Sequence, residues 1–234
     1  MQKSSNNTIS LFQKKMDQIT NSKAVGTPMS IDLDNLKNMG YEGKFWFGQP
    51  AQEMQVIFDT GSALAWVFSE KCDEKKCPKK NGRYHQSQST SFVENEKAGQ
   101  ALQYGKGKVL GHPAKDQVCF SADASHCIKD VSFLTVVNSA DLSALRGAGL
   151  VGLAPTPPHK EELDDPLQHG VPGFVAQLKN SKSYKDDLMS VFSIYLSNDE
   201  KSPGKMTFGG FNMDLAQKGK NEKDIFWADQ SVNE

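Results

Sequence analysis

From Tyr41 onward, apolar residues come in short runs broken by Gly, Pro, Asn and Ser. The runs Gly43–Phe47, Glu53–Phe58, Leu64–Phe68, Gln100–Tyr104, Lys115–Phe120 and Val131–Val137 are strand-sized and closely spaced. Strands of this length with turn residues between them predict an all-β sandwich or barrel with minor helices. One helix interrupts the pattern. Val171, Phe174, Val175 and Leu178 fall at i, i+3, i+4 and i+7, and Pro172 suits a first turn. Two further strands follow, Val191–Leu196 and Lys205–Phe208, and then a polar tail. Ahead of the β-rich region, residues 1–30 are polar apart from Ile9, Phe12, Met16 and Ile19. Their three-to-four spacing predicts a helix, capped by Asn7 or Thr8, whose modest apolar face docks on something else.

With 37% hydrophobic residues in 234, the chain can bury the core of one large β domain or two small ones. A net charge of -1 and no long basic block give no electrostatic argument for nucleic acid. Lys71, Lys75, Lys76, Lys79 and Lys80 do cluster, but Asp73 and Glu74 sit among them, as in a solvated loop. No apolar stretch approaches the ~20 residues of a membrane-spanning helix, and Val131–Val137, the best candidate, is strand-sized. The first residues lack the apolar core of a signal peptide. The four cysteines point the other way. Cys72 and Cys77, then Cys119 and Cys127, can each close a short loop, which implies an oxidising compartment. Zinc is the alternative, though these spacings are looser than the usual ligand pairs. Together these features suggest that the chain does not begin at the native start.

The candidate chemistry lies in Val56–Val67, V-I-F-D-T-G-S-A-L-A-W-V, where an apolar run carries Asp59 into a turn. An ionised carboxylate in apolar surroundings costs several kcal/mol or more unless it is hydrogen-bonded or neutralised. Asp59 is therefore a held structural group or a working one. Gly61 is expected to supply backbone angles closed to a side chain. Thr60, Gly61 and Ser62 are expected to hold the carboxylate, and hydrogen bonds to a charged form favour it.

F-D-T-G-S-x-x-x-W-V resembles the active-site turn of the pepsin-like aspartic proteases, and further landmarks follow in that family's order. Tyr41–Pro50 resembles its first hairpin, and Gln103–Gly107 (Q-Y-G-K-G) its flap tip. Gly149–Pro155 (G-L-V-G-L-A-P) resembles the segment behind the active-site loop, and Phe192–Ser197 and Thr207–Asn212 the strands leaving the first lobe. The resemblance implies the pepsin-like acid protease fold, here one lobe of the double-ψ β-barrel type. It implies an endopeptidase that uses no cofactor or metal and acts on a peptide or protein substrate, in a secreted or lysosomal/vacuolar setting. Asp59 would be one of two catalytic aspartates, with Thr60, Gly61 and Ser62 in support. Tyr104 would be the flap tyrosine, Trp66 its indole partner, and Gly105 the residue that lets the flap turn. Cys72 and Cys77 match the family's small disulfide loop. The division implied is a propeptide-like segment over 1–30, hence a zymogen, an N-terminal lobe over 31–212, and the start of an interlobe connection over 213–234.

Three departures stand out. Only Asp59 is followed by Thr-Gly or Ser-Gly, whereas the family carries a second such aspartate on a second lobe. Lys106 stands where the flap usually has Thr or Ser, and Ala148 where an Asp usually precedes G-I-L-G. The sequence therefore reads as an N-terminal lobe without its C-terminal partner. The alternatives are a homodimer with one Asp59 from each copy, or a non-catalytic peptide- or protein-binding module that keeps the cleft.

Overall fold

The computed structural model describes residues 28–37, 40–78, 82–105, 107–155, 171–181, 191–197, 199, 202–216 and 224–225. The helix expected through Ile9, Phe12, Met16 and Ile19 lies outside these residues, as does Lys106.

The apolar runs become strands because their alternate residues have an interior to fill. On β2 (Tyr41–Phe47) Phe45 and Phe47 enter the core, and on β3 (Gln52–Asp59) Met54 and Val56 do. β4 (Ala65–Phe68), β9 (Gly149–Gly152) and the middle of β8 (Cys127–Ala140) are buried on both faces. Ala65, Val67, Val131, Phe133 and Val151 fill the interior, while Trp66, Phe68, Leu134, Val136 and Leu150 form a second apolar layer outside it. This explains why apolar residues occupy consecutive positions in them.

The pairing order β2–β3–β9–β4–β8–β7 returns from β7 (Lys108–Cys119) to β2, through Trp46 opposite Cys119 and Phe47 opposite Val118. Six strands thus close into a barrel, with β3 parallel to β9 and β4 parallel to β8. The short β5 (Val93–Glu94) and β6 (Gln100–Gln103) both pair with β7. β1 (Met29–Asn35) links the barrel to a three-stranded extension with β10 (Phe192–Tyr195) and β11 (Gly204–Phe208). Phe45 packs against Phe58, Phe120, Phe174 and Phe208, knitting barrel and extension together.

Two expected strands are parts of longer ones. β7 and β8 run for 12 and 14 residues, through Gly111 and Pro113, which look unlike strand. Their long antiparallel pairing overrides local preference, and a register shift at Leu110/Gly111 absorbs the irregularity. The expected helix forms as α1 (Phe174–Asn180), but Val171 and Pro172 precede it. Its start is set by Phe174, whose backbone N–H donates to Ala63 O at 2.9 Å. The Gln177 side chain then clasps Ser132, accepting from its N–H at 2.6 Å and donating to its carbonyl at 2.8 Å.

Cys72–Cys77 and Cys119–Cys127 are both disulfide-bonded, with Cα separations of 6.0 and 3.9 Å. No thiolate remains for zinc, since all four cysteines are used. Arg83 braces the first loop, donating to the carbonyls of Cys77 and Pro78 at 3.2 Å while lying over the Phe68 ring.

One buried polar knot holds β7 to the loop before β5. Asp116, 1% exposed, accepts from the Tyr84 hydroxyl, from Ser91 Oγ at 2.6 Å and from the Gln117 N–H at 2.7 Å. Burial, reinforced by the Asp116 carboxylate, holds the Tyr84 phenol far above its ordinary range. Tyr84→Phe removes one donor and leaves the carboxylate buried. The expected loss is about 1–3 kcal/mol in urea unfolding. A variant as stable as the parent would show that water replaces the hydroxyl.

Candidate active site

β3 ends at Asp59, and the chain turns so that the loop grips its own carboxylate. The Gly61 N–H donates to Oδ1 at 2.9 Å and Ser62 Oγ donates to Oδ2 at 2.6 Å. The loop is pinned from behind by the segment leaving β9. Gly152 N–H donates to Leu64 O at 3.0 Å, Leu153 N–H to Asp59 O at 2.8 Å and Ala154 N–H to Ser62 O at 2.9 Å. This approach needs glycine at 152, because a Cβ there would lie 2.5–2.6 Å from backbone atoms of Ser62, Ala63 and Leu64.

Two expected roles change. Gly61 does not adopt the left-handed backbone conformation, and what matters is its N–H on the carboxylate. Thr60 is exposed, and its hydroxyl has no hydrogen-bond partner among the described residues, so Gly61 and Ser62 alone hold Asp59 here.

Over the site stands the β6–β7 hairpin. Trp66, in the row beside the turn, donates from Nε1 to the Tyr104 hydroxyl at 2.8 Å. Leu102 and Tyr104 pack on the outer apolar layer around Trp66. Burial raises the Tyr104 phenol above its ordinary range, aided by the Asp59 charge and opposed by hydrogen bonding with Trp66 and Ser62. Ser62 is thus bonded to Asp59 on the cleft floor, and Trp66 to Tyr104 on the flap above it. Gly105 lies at a bend within the hairpin tip, and the residue with a left-handed backbone there is Gly107. Gly107 has φ +98° and no room for a Cβ, which would meet Leu142 at 2.5 Å, whereas a Cβ at Gly105 would enter open space. Ala148, where a carboxylate was expected, is buried in the core; its N–H donates to Gln55 O and its carbonyl accepts from the Phe68 N–H.

Glu42 escaped the sequence reading, although a charge inside Y-E-G-K-F-W-F was its signal. It is 4% exposed and its Oε1 has no hydrogen-bond partner among the described residues. Burial raises its carboxyl above the ordinary range, with Asp34 adding to this and Arg146 opposing it. Raised in the fold, Glu42 subtracts stability once it ionises. Glu42→Gln is therefore expected to raise the thermal midpoint at pH 7, with the gain shrinking as pH falls and vanishing near pH 3. A gain equal at both pH values would refute the ionisation argument.

A closed β-barrel, a carboxylate gripped at a strand-end turn and a tyrosine on the flap bonded to a buried indole make up this site. The eukaryotic aspartyl protease family profile matches residues 40–228, and the chain belongs to that family. It is 30% identical to cathepsin E of Rattus norvegicus over 209 residues, covering 84% of this chain and 47% of that protein. Plasmepsin IV of Plasmodium falciparum is 30% identical over 206 residues, covering 85% of this chain and 42% of that protein. Procardosin-A of Cynara cardunculus is 28% identical over 188 residues, 78% of this chain and 33% of that protein. The chain spans less than half the length of these relatives.

Proposed function

We propose that this chain is one catalytic lobe of a pepsin-like aspartic endopeptidase, with Asp59 supplying one of the two carboxylates that activate water. The grip of Gly61 and Ser62 on Asp59, beneath Tyr104 and Trp66, carries this reading. A peptide substrate lies between the turn and the flap. The second carboxylate comes from a second lobe, which docks along the extension. Exposed Ile194, Tyr195 and Leu196 on β10 and just past it, beside a cavity of about 320 Å³ reaching Phe211 and Ile225, support that placement. The two disulfides favour a secreted or lysosomal/vacuolar setting.

Pepstatin binding tests the half-site without requiring turnover, because the inhibitor's hydroxyl takes the place of the water between the carboxylates. The chain should bind pepstatin weakly, with a change in tryptophan emission, and Asp59→Asn should abolish binding. Binding indifferent to Asp59, or none at millimolar inhibitor, rejects the reading.

A further inference from the structure

The outer face of the barrel carries a cross-strand row fixed by pairing. Asp34 is opposite Glu42, and Glu42 is opposite Ile57. Ile57 lies beside Leu150, and Leu150 opposite Trp66. Directly paired residues present their side chains to one face, so Glu42 shares the face of Trp66, the indole that holds the flap. Asp59, two residues beyond Ile57, is on that face too. In ordinary sheet geometry the diagonal places Glu42 and Asp59 about 7–8 Å apart. Gly40 is the next residue of the same parity toward the turn, and it has no side chain to stand between them.

Glu42 is a poor structural residue here. Its Oε1 is buried without a donor among the described residues, a costly state for a carboxylate. The surrounding charges leave an acceptor unspent. Lys44 on the same strand is paired with Glu53 at 2.8 Å, and Asp34 on β1 accepts from Gln55 at 3.2 Å. Arg146, exposed before β9, is near enough to favour the Glu42 charge but gives it no hydrogen bond. Lys44 is thus taken up by Glu53 and Arg146 acts on Glu42 only through space, so among the described residues no cation neutralises the Glu42 carboxylate by direct contact.

Resting on the half-site reading, we propose that Glu42 determines specificity: its carboxylate receives the ammonium or guanidinium group of a lysine or arginine next to the scissile bond. A long apolar stem ending in a cation suits the site, since the stem can run along Ile57 while the head reaches the buried oxygen.

Fluorescence anisotropy at pH 6 tests this with the 234-residue chain. The probes are labelled peptides that differ only by lysine, arginine or norleucine at each position flanking the scissile bond. At one position the cationic peptides should bind at least tenfold more tightly than the norleucine peptide. Glu42→Gln should bring the three to parity, and Glu42→Leu should reverse the order. The ¹³C shift of the Glu42 carboxyl, followed in the parent chain, should move with the lysine peptide and stay fixed with norleucine. Equal binding of all three peptides by the parent, or a cationic preference that survives Glu42→Gln, overturns the proposal while leaving the half-site intact. Failure of every peptide to bind overturns both.

Discussion

The 234-residue chain by itself is expected to leave denatured haemoglobin uncut from pH 2 to 7, with or without pepstatin. Hydrolysis by this chemistry needs an ionised carboxylate to take a proton from water and a protonated one to polarise the carbonyl. Two carboxyls sharing one proton supply both, as in pepsin. Here only Asp59 stands in an Asp-Thr-Gly or Asp-Ser-Gly setting. Its hydrogen bonds to Gly61 and Ser62 fix its position and supply no second acid. Joined to a second lobe in one polypeptide, the chain should become active, and Asp59→Asn should then lower kcat by about 10³-fold or more, in the middle of the range for losing one acid–base group or above it. Cleavage by the chain alone that grows with the square of protein concentration and stops in Asp59→Ala would instead establish a homodimer. Pepstatin-insensitive cleavage unaffected by Asp59→Ala would remove this carboxylate from the mechanism. Peptide binding without cleavage, even with a second lobe present, would favour a non-catalytic module.

Gly152→Ala is expected to be among the most damaging single methyl additions to the fold. The added carbon would sit 2.5 Å from Ser62 O and Ala63 C and 2.6 Å from Leu64 N, all backbone atoms with no rotamer to yield. Relief requires moving the loop away from β9, which strains the three backbone hydrogen bonds that pin it. Overpacking of this kind costs about 3 kcal/mol, enough to consume much of the stability of a small domain. Urea unfolding followed by tryptophan emission measures the loss, and pepstatin affinity reports whether Asp59 has shifted. Gly105→Ala is the matched control, since its methyl meets nothing within 4 Å. Equal effects from the two substitutions would refute the close-packing argument.

The strands were legible where the local pattern repeats along the chain. Gly43–Phe47 and Glu53–Phe58 alternate, so the expected runs nearly coincide with β2 and β3. Asp59 was legible too, because a carboxylate at the end of an apolar strand needs a reason. The spacing of the cysteines foreshadowed their pairing, since short loops bring partners together whatever the rest of the chain does.

Other features depend on residues far apart in sequence. The lengths of β7 and β8 come from pairing with each other, which let Gly111 and Pro113 lie within a strand. Gly107 rather than Gly105 carries the flap's left-handed turn because Leu142, from beyond the end of β8, occupies the space a side chain would need. Glu42 looks like a solvent-facing residue of an alternating strand. Only the closure of β1, β3 and the Arg146 loop around it removes its water and places it beside Ile57, on the face of Asp59. Alternation tells which side of a strand a residue faces. Whether that side meets water, core or cleft is decided by the elements packed against it.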